Sequence, residues 1–209
     1  MISIPFQSFR RNSVYLLLLL TPAGLLAQTL GPDERSSAMT NLYISRMKFL
    51  DAIDGLSPVQ LAFKPSPERW SIAECAEHIT LSEDMLFKMA ERALAAPAVK
   101  RDLGVYLKVD QQIMKSVVDR SKKVQAPEAL QPSHKWKTMD AMLTEFKQKR
   151  MKTIEWVELT NADVRGHVLP HPEFKELDAF QWVLLLSAHT ERHTLQILEV
   201  KADPKFPEK

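Results

Sequence analysis

The stretch from Asp178 to Lys201, DAFQWVLLLSAHTERHTLQILEVK, constrains this chain more than any other, because a long apolar run at helical spacing must find a core to lie against. His189 and His193 stand four residues apart inside it. At about 3.6 residues per turn, that spacing puts both imidazoles on one face, one turn apart. Trp182, Leu186, Ile197 and Val200 lie close to the same stripe, so the histidine face is expected to point inward. Histidines aimed at a core need partners or must stay neutral, and two so placed can grip one metal ion. A third ligand has to come from elsewhere in the chain.

The rest of the chain reads as all-α. Thirteen prolines fall between apolar helical runs, glycine occurs only five times, and no repeat or strand-like alternation interrupts the pattern. A first run over about 34–56 places Met39, Tyr43, Met47, Leu50 and Ile53 at helical spacing, closed by Gly55 and Pro58. An irregular stretch over 57–70 follows. Ser71 with Glu74 three residues on forms a capping box that opens the second run, whose stripe is Ile72, Cys75, Ile79, Ser82, Leu86, Met89 and Ala93. His78 lies on the edge of that stripe and is the candidate third ligand. A shorter amphipathic run over about 106–123 predicts an extra helix in the connection. The third long run, about 138–159, carries Met142, Leu143, Phe146, Ile154 and Val157, with Lys147, Lys149, Arg150 and Lys152 expected on a solvated face. The stretch 167–174 reads as a proline-bearing loop, and Asp178 with Gln181 caps the last helix. Four long helices and long connections predict a four-helix bundle with an extra short helix between the second and third long helices, filling one domain over 28–209.

Residues 1–27 read as a secretory signal peptide: Arg10 and Arg11, an apolar core from Val14 to Leu20, then Ala27 at a small-residue cleavage site. The expected location is therefore exported, periplasmic or secreted, with no stable membrane span once the leader is cleaved; an uncleaved anchor is the alternative. Cys75 is the only cysteine, so the fold has no internal disulfide and depends on packing, and Cys75 itself reads as a small buried hydrophobe. The whole chain has 28 basic and 26 acidic residues, and without Arg10 and Arg11 the balance is 26 to 26. A neutral mature chain lacks the electrostatic footprint of a nucleic-acid binder.

Three imidazoles around a divalent ion leave a position for water or substrate, which is the catalytic rather than the closed structural arrangement. The pair is not a zincin motif, since Thr190 follows the first histidine, Arg192 precedes the second, and Glu191 faces away. No Gly-x-Ser-x-Gly is present, and Cys75 has no basic neighbour in sequence. Glu74, Glu77 and the loop carrying His171 remain as sources of a general base. Glu74, His171, Trp182 and Gln196 are the residues expected in the pocket or behind the ligands. The other tryptophans, Trp70, Trp136 and Trp156, read as core, and His134 and His167 as solvated.

The segments RWSIAECAEHI (69–79), HPEFKELD (171–178) and HTERHTLQI (189–197) resemble the DinB-like, or YfiT-like, superfamily across essentially the whole mature chain. The resemblance implies an up-down-down-up four-helix bundle and a three-histidine metal site made by His78, His189 and His193, with nickel or zinc the usual occupant. It also implies a small-molecule substrate, hydrolase or thiol-type transferase activity, and frequent homodimers. Many members are without known activity, so an exported non-catalytic bundle with structural histidines is the competing expectation. Lys175 stands where relatives often carry glycine.

Overall fold

Two reciprocal caps set the phase of the helices that matter most. The Ser71 hydroxyl accepts from the Glu74 amide (3.1 Å) while the Glu74 carboxylate accepts from the Ser71 amide (2.7 Å), and Asp178 and Gln181 do the same at 2.7 and 3.0 Å. Helix α3 (Ile72–Leu94) and helix α6 (Ala179–Lys201) start from these boxes. The structure, a computed structural model, describes residues 29–208. The leader expected over 1–27 lies outside them. Among the described residues no helix is long and apolar enough to cross a membrane.

Helix α1 (Pro32–Ile53), α3, helix α5 (Met139–Leu159) and α6 form a four-helix bundle. Cross-helix contacts give the directions. Arg35 at the start of α1 donates to the Glu158 and Thr160 carbonyls at the end of α5, and Phe49 meets Phe146 edge-on, so these two helices are antiparallel. Glu83 with Arg150 and Phe87 with Trp156 make α3 and α5 parallel. His78 with His193 and Glu83 with Thr190 make α3 and α6 antiparallel. Lys48 with Glu191 and Lys201 with the Ala52 carbonyl make α1 and α6 parallel. The order is up-down-down-up, as the family resemblance implied.

Two successive parallel helices need a connection that travels back along the bundle, and residues 95–138 supply it. That connection contains the extra helix, α4 (Leu103–Gln112), running into a π-helical turn (Ile113–Val117) that packs on α6, and then a short 3-10 turn (Glu128–Leu130).

Several local expectations are corrected. The stretch 57–70 is not wholly irregular, since Ser57 and Gln60 form a third capping box for α2 (Pro58–Ala62). The stretch 167–174 is not a plain loop: β1 (Val168–His171) pairs antiparallel with β2 (Lys175–Asp178), from Val168 opposite Asp178 to His171 opposite Lys175. His167 is not solvated, being partly buried with its Nδ1 2.6 Å from the Ala96 carbonyl. On α1 the core face is Ala38, Leu42, Ser45, Phe49, Ala52 and Ile53, while Tyr43 and Met47 are 43% and 57% exposed. The small residues Ala38, Ser45 and Ala52 face the neighbouring helices, and the larger Tyr43 and Met47 lie about 150° around the helix from the centre of that face.

The largest correction is Arg150, which is fully buried rather than part of a solvated face. It continues the Met142, Phe146, Ile154, Val157 stripe. Its guanidinium makes a two-point pair with Glu83 (2.9 and 2.5 Å) and donates to the Leu42 carbonyl (2.7 Å), the Ser45 hydroxyl (2.7 Å) and the Thr190 hydroxyl (2.8 Å). These groups come from all four long helices. They form a polar layer between one apolar cluster around Leu42, Leu86, Ile154 and Leu186 and another around Phe49, Ile79, Phe146 and Ile197.

The hairpin closes through residues 172–174 onto Lys175, whose φ of 65° lies in the left-handed region. A three-residue hairpin loop calls for glycine there, and a side chain costs about 1–2 kcal/mol. Lys175 is exposed. Lys175→Gly is therefore expected to stabilise the fold by about 1 kcal/mol, read as a higher urea midpoint at unchanged slope.

Candidate metal centre

His78 from α3 and His189 and His193 from α6 converge on one point. Their available ligand nitrogens all lie within 4.8 Å of one another, and the ring centroids are 4.3 to 4.8 Å apart. The Nε2 atoms of His78 and His189 are 3.1 Å apart. Nitrogens sharing a tetrahedral ion at a bond length near 2.0 Å stand about 3.3 Å from one another, so this pair is already at ligand spacing.

The outward nitrogens fix what the inward ones can do. His78 Nδ1 donates to the Leu130 carbonyl at 2.7 Å, and His193 Nδ1 donates to the Gln196 carboxamide oxygen at 2.8 Å. Each of these rings is thereby left with a bare Nε2, the form a metal requires. Burial lowers the pKa of all three histidines, further for His189 and His193, where the neighbouring imidazoles add to the effect. Two facing sp2 nitrogens 3.1 Å apart need a proton or a cation between them, and the donor set of three neutral imidazoles fits a divalent ion. His78 and His193 are buried while His189 keeps partial exposure, so the open side of the trio is at His189.

The other residues expected near the trio divide. Gln196 stands directly behind His193. Trp182 lies two turns before His189 on α6, is buried, and has an indole N–H without an acceptor among the described residues. His171 packs on Trp182 with ring centres 5.3 Å apart; its Nδ1 accepts from the Glu173 and Phe174 amides, so its Nε2 carries the proton. Glu74 is committed to the helix cap and to Lys64 at 3.0 Å. Glu77 accepts the backbone amides of Ser133, His134 and Lys135 at 3.0 to 3.1 Å; burial works against its charge, but these donors hold its carboxyl below the usual range. It is an anchor for that loop, not a base. Cys75 is buried as expected, and burial pushes its thiol up to about 12, which leaves it unreactive.

One contact was missed in the sequence. The Trp70 ring packs over His78 (4.9 Å between centres) and His193 (6.1 Å), so it walls the centre rather than filling general core. Its place directly before the Ser71 cap was the available signal.

The low pKa values predict acid sensitivity of the metal-free fold. An unfolded histidine takes up a proton below about pH 6.5, whereas His78, His171, His189 and His193 resist it when folded. The unfolded chain then binds more protons, and stability falls as pH drops from about 6.5 toward the depressed folded values. Asp178 opposes this, since burial pushes it up to about 6 and its proton uptake favours the fold. Four groups outweigh one, so the urea midpoint of metal-free protein is expected to be lower at about pH 5.5 than at pH 7.

Comparison with known proteins agrees with this fold. Residues 41–197 match the family model described as the DinB superfamily. The chain is 28% identical over 157 residues to YuaE of Bacillus subtilis strain 168, an uncharacterized protein, covering 75% of this chain and 93% of that one. Among solved structures it is similar to YfiT from Bacillus subtilis, described as a probable metal-dependent hydrolase with an unusual four-helix bundle topology. That match has a TM-score of 0.55 and 13% identity, over 83% of this chain and 89% of that chain. It is also similar to TT2238, a four-helix bundle protein, with a TM-score of 0.51 and 19% identity over 79% of this chain and 98% of that chain.

Proposed function

This chain belongs to the DinB superfamily, and from that premise we propose that it is a metal-dependent enzyme acting on a small molecule, with His78, His189 and His193 holding one nickel or zinc ion. The observation that carries the reading is the convergence of three neutral imidazoles, two of which, His78 and His193, have their outward nitrogens pinned. A divalent ion held by these residues would supply a Lewis acid at the open side of the trio. The chain's own residues do the rest. Trp70 walls one side of the centre and keeps water from reaching it there. The partly exposed edge of His189 marks the way in. Hydrolysis is the leading reaction class, in keeping with the description of YfiT.

Thiol transfer is the second reading, and one observation favours it. Glu74, Glu77 and Glu199 are each bound elsewhere, and a thiol is acidic enough to react as its anion without a carboxylate base. The enzyme works outside the cytoplasm after removal of residues 1–27, which the intact mass of native protein checks. Stripping the protein, re-adding nickel or zinc and measuring one ion per chain tests the metal reading. Assay of the loaded protein on esters, amides and thiol-electrophile pairs then separates the classes. A stoichiometric metalloprotein inert toward the whole panel supports a non-catalytic bundle instead.

A further inference from the structure

We propose that Arg120, in the connection between α4 and α5, is a positioning residue for the metal centre: by holding the carboxamide of Gln196 in one orientation, it fixes the tautomer of His193 that leaves Nε2 bare for the ion. The proposal rests on the three-histidine metal reading and assigns a role to a residue outside the trio.

The argument starts from a contrast between two ligands. His78 donates to a backbone carbonyl, that of Leu130, which can only accept, so its tautomer is settled. His193 leans instead on a carboxamide, which presents an acceptor at one end and a donor at the other. Rotated half a turn, Gln196 would offer its NH2 to His193, Nδ1 would have to accept, and the proton would move to Nε2, where it blocks the ligand. Arg120 removes that option. Its Nη1 lies 3.3 Å from Gln196 Oε1, the same oxygen that accepts from His193 Nδ1 at 2.8 Å. A guanidinium has no acceptor, so only the oxygen is tolerated between Arg120 and His193.

Arg120 is itself held for this task. Its Nε and Nη2 make a two-point pair with Glu199 at 2.7 and 2.9 Å, and Arg69 donates at 3.3 Å to the same Glu199 Oε2 that accepts from Nη2. His193, Gln196 and Glu199 follow at three-residue spacing along one side of α6, so one connection residue addresses the whole row. The loop bearing Arg120 is fastened next to it, because Arg192 donates to the carbonyls of Val117, Asp119 and Lys122.

The sign of the effect separates this role from simple charge. A cationic side chain close to a divalent ion repels it, so if Arg120 acted through its charge alone, removing it would tighten metal binding. Loss of orientation weakens it. The test is zinc affinity of the stripped full chain, by competition with a chromophoric chelator, for the unsubstituted protein, Arg120→Met, Gln196→Glu and the double variant. Arg120→Met is expected to lose roughly tenfold or more, as substitutions behind a ligating histidine do. In the Gln196→Glu background, where either carboxylate oxygen accepts and nothing needs orienting, adding Arg120→Met is expected to change affinity by less than about threefold. Histidine 15N shifts of the metal-free chain should show the Nδ1–H form of His193 in the unsubstituted protein and a tautomer mixture in Arg120→Met. Unchanged or tighter binding in Arg120→Met overturns the proposal. So does an equal loss in both backgrounds, which would mean that Arg120 only secures its loop. If the unsubstituted chain binds no zinc, the metal reading falls as well; a flat cycle on a chain that does bind zinc removes this inference alone.

Discussion

His193→Ala is expected to bind zinc or nickel on the order of a hundredfold more weakly than the unsubstituted chain, with its helical circular dichroism retained. Sites with a full protein ligand set hold zinc with about 10–16 kcal/mol, so one ligand accounts for roughly 3 kcal/mol. The substitution also strands little. Gln196 keeps Arg120 as a partner, and Trp70 and His78 lose one ring neighbour between them. Isothermal titration of stripped protein gives the affinity and the urea midpoint gives the fold. Unaltered affinity with an intact fold would mean that the ion is held somewhere other than among these three rings.

Arg150→Ala is expected to cost about 3–5 kcal/mol of stability, because it leaves Glu83 as a buried unpaired carboxylate. Glu83 is 1% exposed at its side chain, and Arg150 is also the donor for the Leu42 carbonyl, Ser45 and Thr190. For a chain of this size, that corresponds to a melting temperature lower by roughly 10 °C. Pairing Arg150→Met with Glu83→Leu replaces both charges by apolar groups of similar length, and most of the loss should return. A single variant within about 1 kcal/mol of the parent would show that water reaches this layer and that the pair is not desolvated. Thr190 follows His189 directly, so the same single variant should also soften the metal centre.

The parts of this architecture that could be read from sequence are those set locally. Ser71 with Glu74 and Asp178 with Gln181 start α3 and α6 at defined residues, and a helix once started carries His78, His189 and His193 to known faces. What could not be read depends on neighbours distant in the chain. The inner face of α1 is rich in small residues, so hydrophobicity alone selects the wrong stripe with Tyr43 and Met47. Arg150 sits at core spacing, but its charge argues for the surface until Glu83 is seen opposite it. The hairpin is two strands of four residues turning on a left-handed lysine, a conformation that residue type argues against. Trp70 and Arg120 reach the centre from outside the helices that carry the ligands, so helical periodicity holds no trace of either.

The rings of His78 and His189 belong to residues 111 positions apart, on helices that meet only after the chain has reversed its course three times. A binding site shared over such a span cannot exist until nearly all of the topology is in place, since closing so long a loop is among the last and entropically dearest events of folding. Metal would therefore leave the rate of refolding almost untouched and act on the return journey, as a brake on unfolding. A bundle built this way would gain kinetic persistence from an ion held among these rings.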